Sequence, residues 1–492
     1  MGSCQATDFS RAGSNRIFPT PLFGTTQGGC PDANSNSASP VNHYLFCTRI
    51  PPLVPSFQRS CLLPSRFVAS NLPLAMNTPK QSLPNEPELE RNNGILPAQS
   101  LRALVKNGVI VAPESLPIKD EQIQPASIDL RLGTQALHVR ASFLPGKSST
   151  LLKKVHDGLL IDTLDLRQPT LLTPNSVYIV KLTETLNLPA DVSGIANPKS
   201  TTGRLDIFTR LITEHGEEFE RVPRGYSGEL YAEVVTRSFP VYVREGLKLN
   251  QLRFIRGKAE ARRDSVLREL AKDDQLVRYE TEDRLVDAIN RGLSVTVNLE
   301  GSERSDIVAY KAKKYAAPID LSKIRHYEMA DFWEFIRKPA SRRLILEPDE
   351  FYLLASKEKV RVPPDHAAEM VAYDPTMGEF HVHYAGFFDP GFGYGAQGEI
   401  PGTKAVLEVR AHDMPILLED GQFVGKLLYY RMAATPQVVY GQDIGSSYQK
   451  QELTPSKQFK FTEPRETQMK HEERETEWSA RGRRDVVLLE QH

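Results

Sequence analysis

Residues 172–189 read Leu-Thr-Pro-Asn-Ser-Val-Tyr-Ile-Val-Lys-Leu-Thr-Glu-Thr-Leu-Asn-Leu-Pro. A diverged copy stands 174 positions later at residues 346–363, Leu-Glu-Pro-Asp-Glu-Phe-Tyr-Leu-Leu-Ala-Ser-Lys-Glu-Lys-Val-Arg-Val-Pro. With one more residue of offset, the repeat aligns Glu233 with Glu408. A stretch that occurs twice in one chain predicts two related structural units in tandem.

Short apolar runs separated by Pro, Gly, Asn and Asp fill both copies, as at residues 177–180 and 239–243. This pattern predicts short strands of a sandwich or barrel. We therefore expect a first β domain over residues 76–256 and a second over 291–456. The stretch between them, 257–290, places apolar residues at intervals among many charges, which predicts a helical linker.

The two ends of the chain differ in composition from the rest. Residues 1–75 are rich in Ser, Pro and Asn and contain no Lys or Glu. Two interpretations stay open for them: an organelle transit peptide, or an extension read from an upstream start codon, with Met76 as the true start. Residues 457–492 are dense in charge and predict a disordered tail. Neither end is counted in the fold.

Composition excludes several classes of function. A net charge of −1 leaves no broad basic face for a nucleic-acid polymer. A mean hydropathy of −0.38 indicates a soluble protein with no membrane contact. All four cysteines lie within the first 61 residues, which excludes disulfides, thiolate metal sites and cysteine nucleophiles from the folded region. We expect a cytoplasmic protein, or an imported one if residues 1–75 are a transit peptide.

The two copies carry different polar segments. In the first copy, residues 199–204 read Lys-Ser-Thr-Thr-Gly-Arg, a loop whose cations and hydroxyls suit phosphate oxygens. In the second copy, residues 385–392 read Ala-Gly-Phe-Phe-Asp-Pro-Gly-Phe, which combines an aromatic ring and a carboxylate suited to a nucleoside. An ordinary solvated turn and an ordinary hairpin tip are the alternatives.

Glu233 and Glu408 each stand within an apolar strand pattern. A carboxylate in such surroundings is costly unless it is paired or has a raised pKa, and a raised pKa suits a general base. The alternative is a strand residue that faces solvent.

Together these segments resemble the dCTP deaminases of the dUTPase-like superfamily, in their long, internally duplicated form. The family opening segment is similar to residues 124–133, Gln-Pro-Ala-Ser-Ile-Asp-Leu-Arg-Leu-Gly, and the family base pocket is similar to residues 384–392 and 407–408. The resemblance implies a mainly β fold of two tandem dUTPase-like barrels, β-clip or jelly-roll-like, joined by the helical linker.

The resemblance also implies the site. The catalytic candidates are Glu408 and Glu233. The substrate-binding residues that it implies, the last four of them in a C-terminal arm, are Lys199, Ser200, Thr201, Arg204, Ala385, Asp389, Phe392, Tyr440, Tyr448, Lys450 and Gln451. Lys450 is expected to replace a family lysine whose place is taken by Ser447.

The implied reaction is hydrolytic deamination of dCTP to dUTP and ammonia without zinc, by a homo-oligomer, with Mg²⁺ accompanying the triphosphate. Zinc deaminases need a Pro-Cys-x-x-Cys segment, and the chain has no cysteine after Cys61. The alternatives are a dUTP diphosphatase, a bifunctional enzyme that yields dUMP, or a nucleotide-binding regulatory paralogue without turnover. A metal-binding cupin, suggested only by His381-x-His383, is the weakest of them.

The two copies have lost complementary parts of the family pattern. Glu408 keeps the pocket signature, whereas the first copy has Pro223 where the pocket aspartate belongs and an insertion at residues 214–221. We therefore expect a composite site, with the first-copy loop binding phosphates and Glu408 as the base. The rival hypothesis is packing of like copies, with Glu233 active.

Overall fold

The computed structural model of the chain describes residues 93–274, 276–278, 288–303, 305–372, 380–382, 386–411, 413–441 and 448–460. The predicted extension at 1–75 and the predicted tail from residue 461 onward lie outside these ranges. Residues 457–460 are described, and Phe459 is buried in a hydrophobic core. The packed chain therefore continues past the predicted boundary at residue 456.

The first copy is built mainly of strands. Its strands are β1 (Gly94–Ile95), β2 (Ile110–Val111), β3 (Ile128–Val139), β4 (Leu160–Asp165), β5 (Thr170–Leu172), β6 (Val177–Asn187), β7 (Val192–Pro198), β8 (Ile207–Thr213), β9 (Arg221–Val222), β10 (Ser227–Thr236), β11 (Val241–Val243) and β12 (Lys248–Arg256). Its helices are α1 (Ala98–Lys106), α2 (Leu151–Lys154) and α3 (Ser200–Gly203), with a 3₁₀ turn at Asp120–Gln122 and a π turn at Val155–Leu159.

Between the copies, where the sequence predicts a helical linker, the described residues hold α4 (Asp264–Asp274) and β13 (Val277–Arg278). The second copy adds one short helix, α5 (Met329–Phe332). Its strands are β14 (Leu293–Thr296), β15 (Ile307–Ala312), β16 (Ile319–Asp320), β17 (Trp333–Arg337), β18 (Arg343–Leu346), β19 (Phe351–Val360), β20 (His366–Ala372), β21 (Phe380–Val382), β22 (Phe387–Phe388), β23 (Thr403–Ala411), β24 (Ile416–Glu419) and β25 (Phe423–Arg431).

The strands form barrel-like sheets in both copies. In the first copy the strand order is β8-β10-β6-β3-β12-β7-β9, and β1, β2 and β4 pair at the side of this path. In the second copy one sheet runs β17-β15-β19-β23-β21 and another β14-β25-β20-β22. The predicted mainly β fold of two tandem barrels is confirmed. No helix among the described residues is long and apolar enough to span a membrane.

The two copies share a core. Trp333, from the second copy, is fully buried against Phe239, from the first, with 5.4 Å between ring centroids. Strand β16 also adds to the first-copy ribbon of β5 and β11, where it pairs with β11 in parallel. Because large buried aromatic rings contribute strongly to packing, this contact fixes the second copy against the first.

Strand β23 lies between β19 and β21 in the sheet of the second copy and is buried along its whole length. Side chains alternate between the two faces of a strand. Leu407 and Val409 accordingly belong to the core of the second copy, whereas Val406 belongs to the core shared with the first. Glu408 and Arg410 share the face of Val406, so this register directs two charged side chains toward the first copy.

Candidate active site

A cavity of about 690 Å³ lies where the two copies meet. This volume is in the range of about 300–1,000 Å³ that small-molecule sites occupy. Its lining includes residues 198–205 of the first copy, residues 386–389 with Phe392 and Glu408 of the second, and parts of the arm that follows β25. Of the predicted site residues, the cavity brings together Lys199, Ser200, Thr201, Arg204, Asp389, Phe392, Glu408, Tyr440, Tyr448 and Gln451.

The first-copy loop is held by contacts inside its own barrel. It follows β7 and forms α3, and the Thr202 hydroxyl donates to the Leu249 carbonyl at 3.0 Å. The Lys199 ammonium pairs with Asp129 at 2.5 Å. Asp129 belongs to the segment 124–133, for which the sequence suggested no role. In the structure its carboxylate holds Lys199 of the loop.

Arg204 and Glu408 face each other across the boundary between the copies. Their Nε and Oε1 atoms are 3.8 Å apart, and the two residues are only 3% and 7% exposed. Burial raises the pKa of Glu408 to about 7, against the opposing attraction of Arg204. A carboxyl group with such a pKa can accept a proton near neutral pH.

The Arg204 guanidinium is also held from the arm. It lies 3.7 Å from the centre of the Tyr448 ring, and its Nη1 donates to the Thr454 carbonyl at 2.8 Å. Its Nε is buried without a hydrogen-bond partner. A buried donor of this kind is costly when it stays unpaired, and the group that faces it is the Glu408 carboxylate, 3.8 Å away.

Aromatic rings and a carboxylate form another wall of the cavity. The Phe388 and Phe392 rings meet edge to face at 5.0 Å, and Phe392 lies 5.5 Å from Tyr440. Burial raises the pKa of Asp389, and the nearby guanidinium of Arg253 acts in the opposite direction. Arg253, which comes from β12 of the first copy, lies 3.3 Å from Asp389.

The sequence analysis missed Arg253 as a partner of the pocket aspartate. This arginine also lies 3.9 Å from the centre of the Phe387 ring, and it is only 1% exposed. Its position in an apolar strand, which Glu233 and Glu408 share, was a signal that this charged side chain needs a buried partner. The partner itself is 136 residues away in sequence.

The arm reaches the first-copy loop, because the Ser456 hydroxyl donates to the Thr201 carbonyl at 2.7 Å. Lys450 does not line this cavity; it lies at a smaller one of about 150 Å³. Lys457 lines the main cavity instead. Burial lowers the pKa of Lys457, and Lys199 acts in the same direction, so two ammonium groups approach each other there.

Glu233 is not among the residues that line the cavity. It is fully buried, and it pairs with Arg210 of its own copy at 2.5 Å. The Arg210 guanidinium lies 3.6 Å from the centre of the Phe219 ring, and burial raises the pKa of the nearby Glu220 to about 8. Both neighbours belong to the insertion at residues 214–221, which therefore covers Glu233.

Two predicted features fall on residues that the structure does not describe. Ala385 and His383 lie outside the described residues, and so does the side chain of His381. In the part of the chain that is described, no group of three or more His, Cys, Asp or Glu side chains could hold a metal ion.

The cations and the buried carboxylate that line this cavity suit a small anionic ligand. Comparison with known proteins is more specific. Residues 92–258 match the family model of the 2'-deoxycytidine 5'-triphosphate deaminase N-terminal domain, and residues 263–459 match that of its C-terminal domain. The chain therefore belongs to the dCTP deaminase family, and it is an enzyme of the hydrolase class. The predicted family and enzyme class are confirmed.

Individual relatives agree with this assignment. The chain is 28% identical over 167 residues to the dCTP deaminase of Halorubrum lacusprofundi, which covers 34% of this chain and 78% of that protein. It is 30% identical over 131 residues to the "dCTP deaminase, dUMP-forming" of Methanobrevibacter smithii, which covers 26% of this chain and 63% of that protein. The crystal structure of 2'-deoxycytidine 5'-triphosphate deaminase from Agrobacterium tumefaciens is similar with a TM-score of 0.64 and 44% identity, over 70% of this chain and 100% of that chain.

Proposed function

We propose that the cavity between the copies deaminates dCTP to dUTP and ammonia without zinc, with Glu408 as the general base. The observation that carries this proposal is the buried Glu408 carboxyl group, 3.8 Å from Arg204 in a cavity lined by the first-copy loop. Arg204 of the first copy and Glu408 of the second pair within one chain, as the composite hypothesis requires.

In the proposed reaction, the Glu408 carboxylate removes a proton from a water molecule, the oxygen of that water attacks C4 of the cytosine, and the proton passes to N3. The remaining hydroxyl proton is then transferred to the exocyclic amino group, so that the C4–N bond breaks, ammonia leaves and the C4 carbonyl of dUTP forms. One water is consumed for each ammonia and dUTP formed. Arg204 favours the ionised carboxylate before the attack, and positioned proton transfer of this kind contributes about 10²–10⁴-fold to a rate.

The phosphates are proposed to lie at the cation-rich end of the cavity. Lys199, Arg204, Lys248 and Lys457 line it, together with the hydroxyls of the first-copy loop. Charge-assisted hydrogen bonds from such groups are the strong contacts that phosphate oxygens make.

Magnesium would arrive with the triphosphate and partly neutralise its charge. The residues present fit an ion held chiefly by phosphate and water, because the carboxylates at this end already have cationic partners. Asp129 pairs with Lys199 at 2.5 Å and Asp120 with Arg102 at 2.6 Å. Mg²⁺ commonly keeps several waters and binds through substrate phosphates.

The nucleoside is proposed to lie against the aromatic wall. Asp389 would accept a hydrogen bond from a ribose hydroxyl, and Phe392 would pack against the sugar or the base. Arg253 holds the Asp389 carboxylate from the other side, at 3.3 Å. This arrangement fixes the acceptor before the substrate binds, which lowers the entropic cost of binding.

A second candidate product is dUMP, formed when deamination is followed by hydrolysis of dUTP. Relatives favour keeping it, since the proteins of Methanobrevibacter smithii and Corynebacterium diphtheriae that match at 30% and 33% identity are named dUMP-forming. Anion-exchange chromatography of the reaction of the chain with dCTP and Mg²⁺ separates the two products. A peak of dUTP supports the proposal, and a peak of dUMP with ammonia supports the alternative.

The base assignment is tested by Glu408→Gln, with Glu233→Gln as the matched control, in an ammonia-release assay. We expect Glu408→Gln to lower kcat by about 10²–10⁴-fold and Glu233→Gln to leave kcat unchanged. Full activity in Glu408→Gln contradicts the proposal, and full loss in Glu233→Gln favours packing of like copies. Absence of ammonia from the unmutated protein would instead favour the regulatory paralogue.

A further inference from the structure

A second buried ion pair stands beside the Arg204–Glu408 pair. Asp206 follows Arg204 by two residues, and Arg410 follows Glu408 by two residues on the same face of β23. Asp206 and Arg410 form a salt bridge in which Asp206 is 1% and Arg410 4% exposed. Each copy thus contributes one cation and one anion to two adjacent ion pairs. The cation comes first in the sequence of the first copy, and the anion comes first in that of the second.

Arg410 is held on several sides. Its Nη2 donates to the Asp206 carboxylate and, at 3.1 Å, to the Ser238 hydroxyl, while its Nη1 donates to the Asp349 carbonyl. The Ser238 hydroxyl in turn donates to Asp206 at 2.7 Å. A guanidinium with this many partners is held in one orientation. In that orientation it points to Asp206 of the first copy and not along β23 toward Glu408.

The backbone at Asp206 needs such an anchor. Asp206 has a φ of +55°, in the left-handed region that non-glycine residues rarely occupy. Its N–H donates to the Gly203 carbonyl at 2.9 Å, and its carbonyl accepts from the Arg237 N–H at 3.1 Å. This residue forms the corner between α3 and β8, so its conformation determines where Arg204 leaves the helix.

We propose that Asp206 and Arg410 are positioning residues, whose ion pair fixes Arg204 opposite Glu408 and keeps the Arg410 guanidinium away from that carboxylate. This inference rests on the proposed role of Glu408 as the base. Nothing in the reaction requires either residue to touch the substrate.

Several charged or titratable groups face this arrangement. Arg204 faces Glu408 from the first-copy corner, Tyr448 faces it from the arm, and Arg410 stands on its own strand. Asp206 is faced by Arg410 and by Arg237. If the ion pair decides which arginine faces Glu408, removal of its two members should shift the pKa of Glu408 in opposite directions. A role in packing alone would not have this effect.

The opposite effects follow from the charges. Without Arg410 the corner loses its anchor, Arg204 stabilises the Glu408 carboxylate less, and the pKa of Glu408 rises. Without the Asp206 charge the corner loses the same anchor, but the Arg410 guanidinium is then free to turn toward Glu408 on the same strand face, and this added cation outweighs the loss, so the pKa of Glu408 falls. Because the base must be ionised, the acid limb of kcat/KM should move to higher pH in the first case and to lower pH in the second.

The test compares Arg410→Met, Asp206→Asn and the double variant by pH profiles of kcat/KM and by urea unfolding. Asn tolerates a left-handed backbone, so Asp206→Asn changes the charge with little backbone strain. We expect an upward shift of about one pH unit in Arg410→Met and a downward shift of about the same size in Asp206→Asn. We expect kcat to fall about ten- to a hundredfold in Arg410→Met, as for a displaced catalytic group.

In the double variant no buried charge is left alone, so stability should recover while the acid limb stays at higher pH. Limbs that stay at the wild-type pH, or that move in the same direction in both single variants, overturn the inference. If Arg410→Met does not fold, Arg410→Lys keeps the charge with fewer donors; we expect a smaller upward shift, and a wild-type limb there also overturns the inference.

The proposed function and this inference fail separately. Retained activity in Glu408→Gln removes the base assignment itself. An inactive Glu408→Gln variant combined with unmoved limbs in the Asp206 and Arg410 variants removes only the positioning role.

Discussion

Replacing Arg204 by Met should raise the pH at which the enzyme becomes active. Arg204 is the cation nearest the proposed base among the described residues, with Nε 3.8 Å from Glu408 Oε1. Burial raises the pKa of Glu408 to about 7 even with this arginine in place. Removing the arginine takes away the larger of the two interactions that oppose burial, so a higher pH is needed to ionise the carboxyl group.

The size of this effect can be worked from the distance. Two unit charges 3.8 Å apart interact by about 4 kcal/mol at an effective dielectric constant of about 20. Since about 1.4 kcal/mol corresponds to one pKa unit, the upper limit is a shift of about three pH units. Opposite charges at such distances shift carboxyl pKa values by about one to three units in proteins. We therefore expect the acid limb of kcat/KM to move from about pH 7 to at least about pH 8.

The assay is ammonia release from dCTP at low substrate concentration, between pH 5.5 and pH 9.5. Arg204→Lys is the matched control, because it keeps the charge while it loses the stacking on Tyr448 and the fork geometry that reaches Thr454. Its limb should stay near that of the wild type, although kcat falls. A limb at the same pH in the wild type and in Arg204→Met would refute the electrostatic reasoning. If the acid limb instead reflected protonation of the substrate phosphates, it would stay at the same pH in both variants.

Three variants test the assignments of residues to the site. Glu233→Gln leaves Arg210 without its carboxylate partner and should cost about 1–3 kcal/mol of unfolding free energy in urea, with unchanged kcat in the folded fraction; an unchanged midpoint would contradict the pairing. Lys457→Gln should raise KM for dCTP about 5–30-fold, as expected for about 1–2 kcal/mol of lost phosphate contact, whereas Lys450→Gln should leave KM unchanged. If KM rises in Lys450→Gln and not in Lys457→Gln, Lys450 is the lysine of the arm that binds the phosphates.

Much of the fold follows from local pattern. The repeat at residues 172–189 and 346–363 carries apolar runs and turn residues that predict strands in either copy. The strands β6 and β19 form there, as Val177–Asn187 and Phe351–Val360. Local pattern also predicts the loop at residues 199–204 and the turn that carries Asp389, because Pro and Gly favour turns and loops at the positions where they occur.

The identity of partners could not be predicted in this way, because it depends on contacts between distant residues. Arg204 bonds to Thr454, 250 positions later, and Arg410 pairs with a residue 204 positions earlier. The position of Lys450 has the same origin: the Ser456 hydroxyl donates to the Thr201 carbonyl, and Lys457 rather than Lys450 lines the main cavity. Sequence spacing fixes which residues share an element, whereas tertiary packing decides which elements meet.

The ion pair at Asp206 bears on the rival arrangement, in which like copies pack together. The offset that aligns Glu233 with Glu408 also aligns Val235 with Arg410. If β10 of a first copy replaced β23 against the corner of another first copy, Val235 would face the buried Asp206. There Asp206 would keep the Ser238 hydroxyl but lose the guanidinium of its buried salt bridge, and removal of one member of a buried ion pair is destabilising by about 3–5 kcal/mol. The second copy's Arg410 removes this penalty, as its salt bridge to Asp206 is almost fully buried. The substitution of valine by arginine in one copy therefore favours contact between unlike copies, and the same contact places Glu408 opposite Arg204.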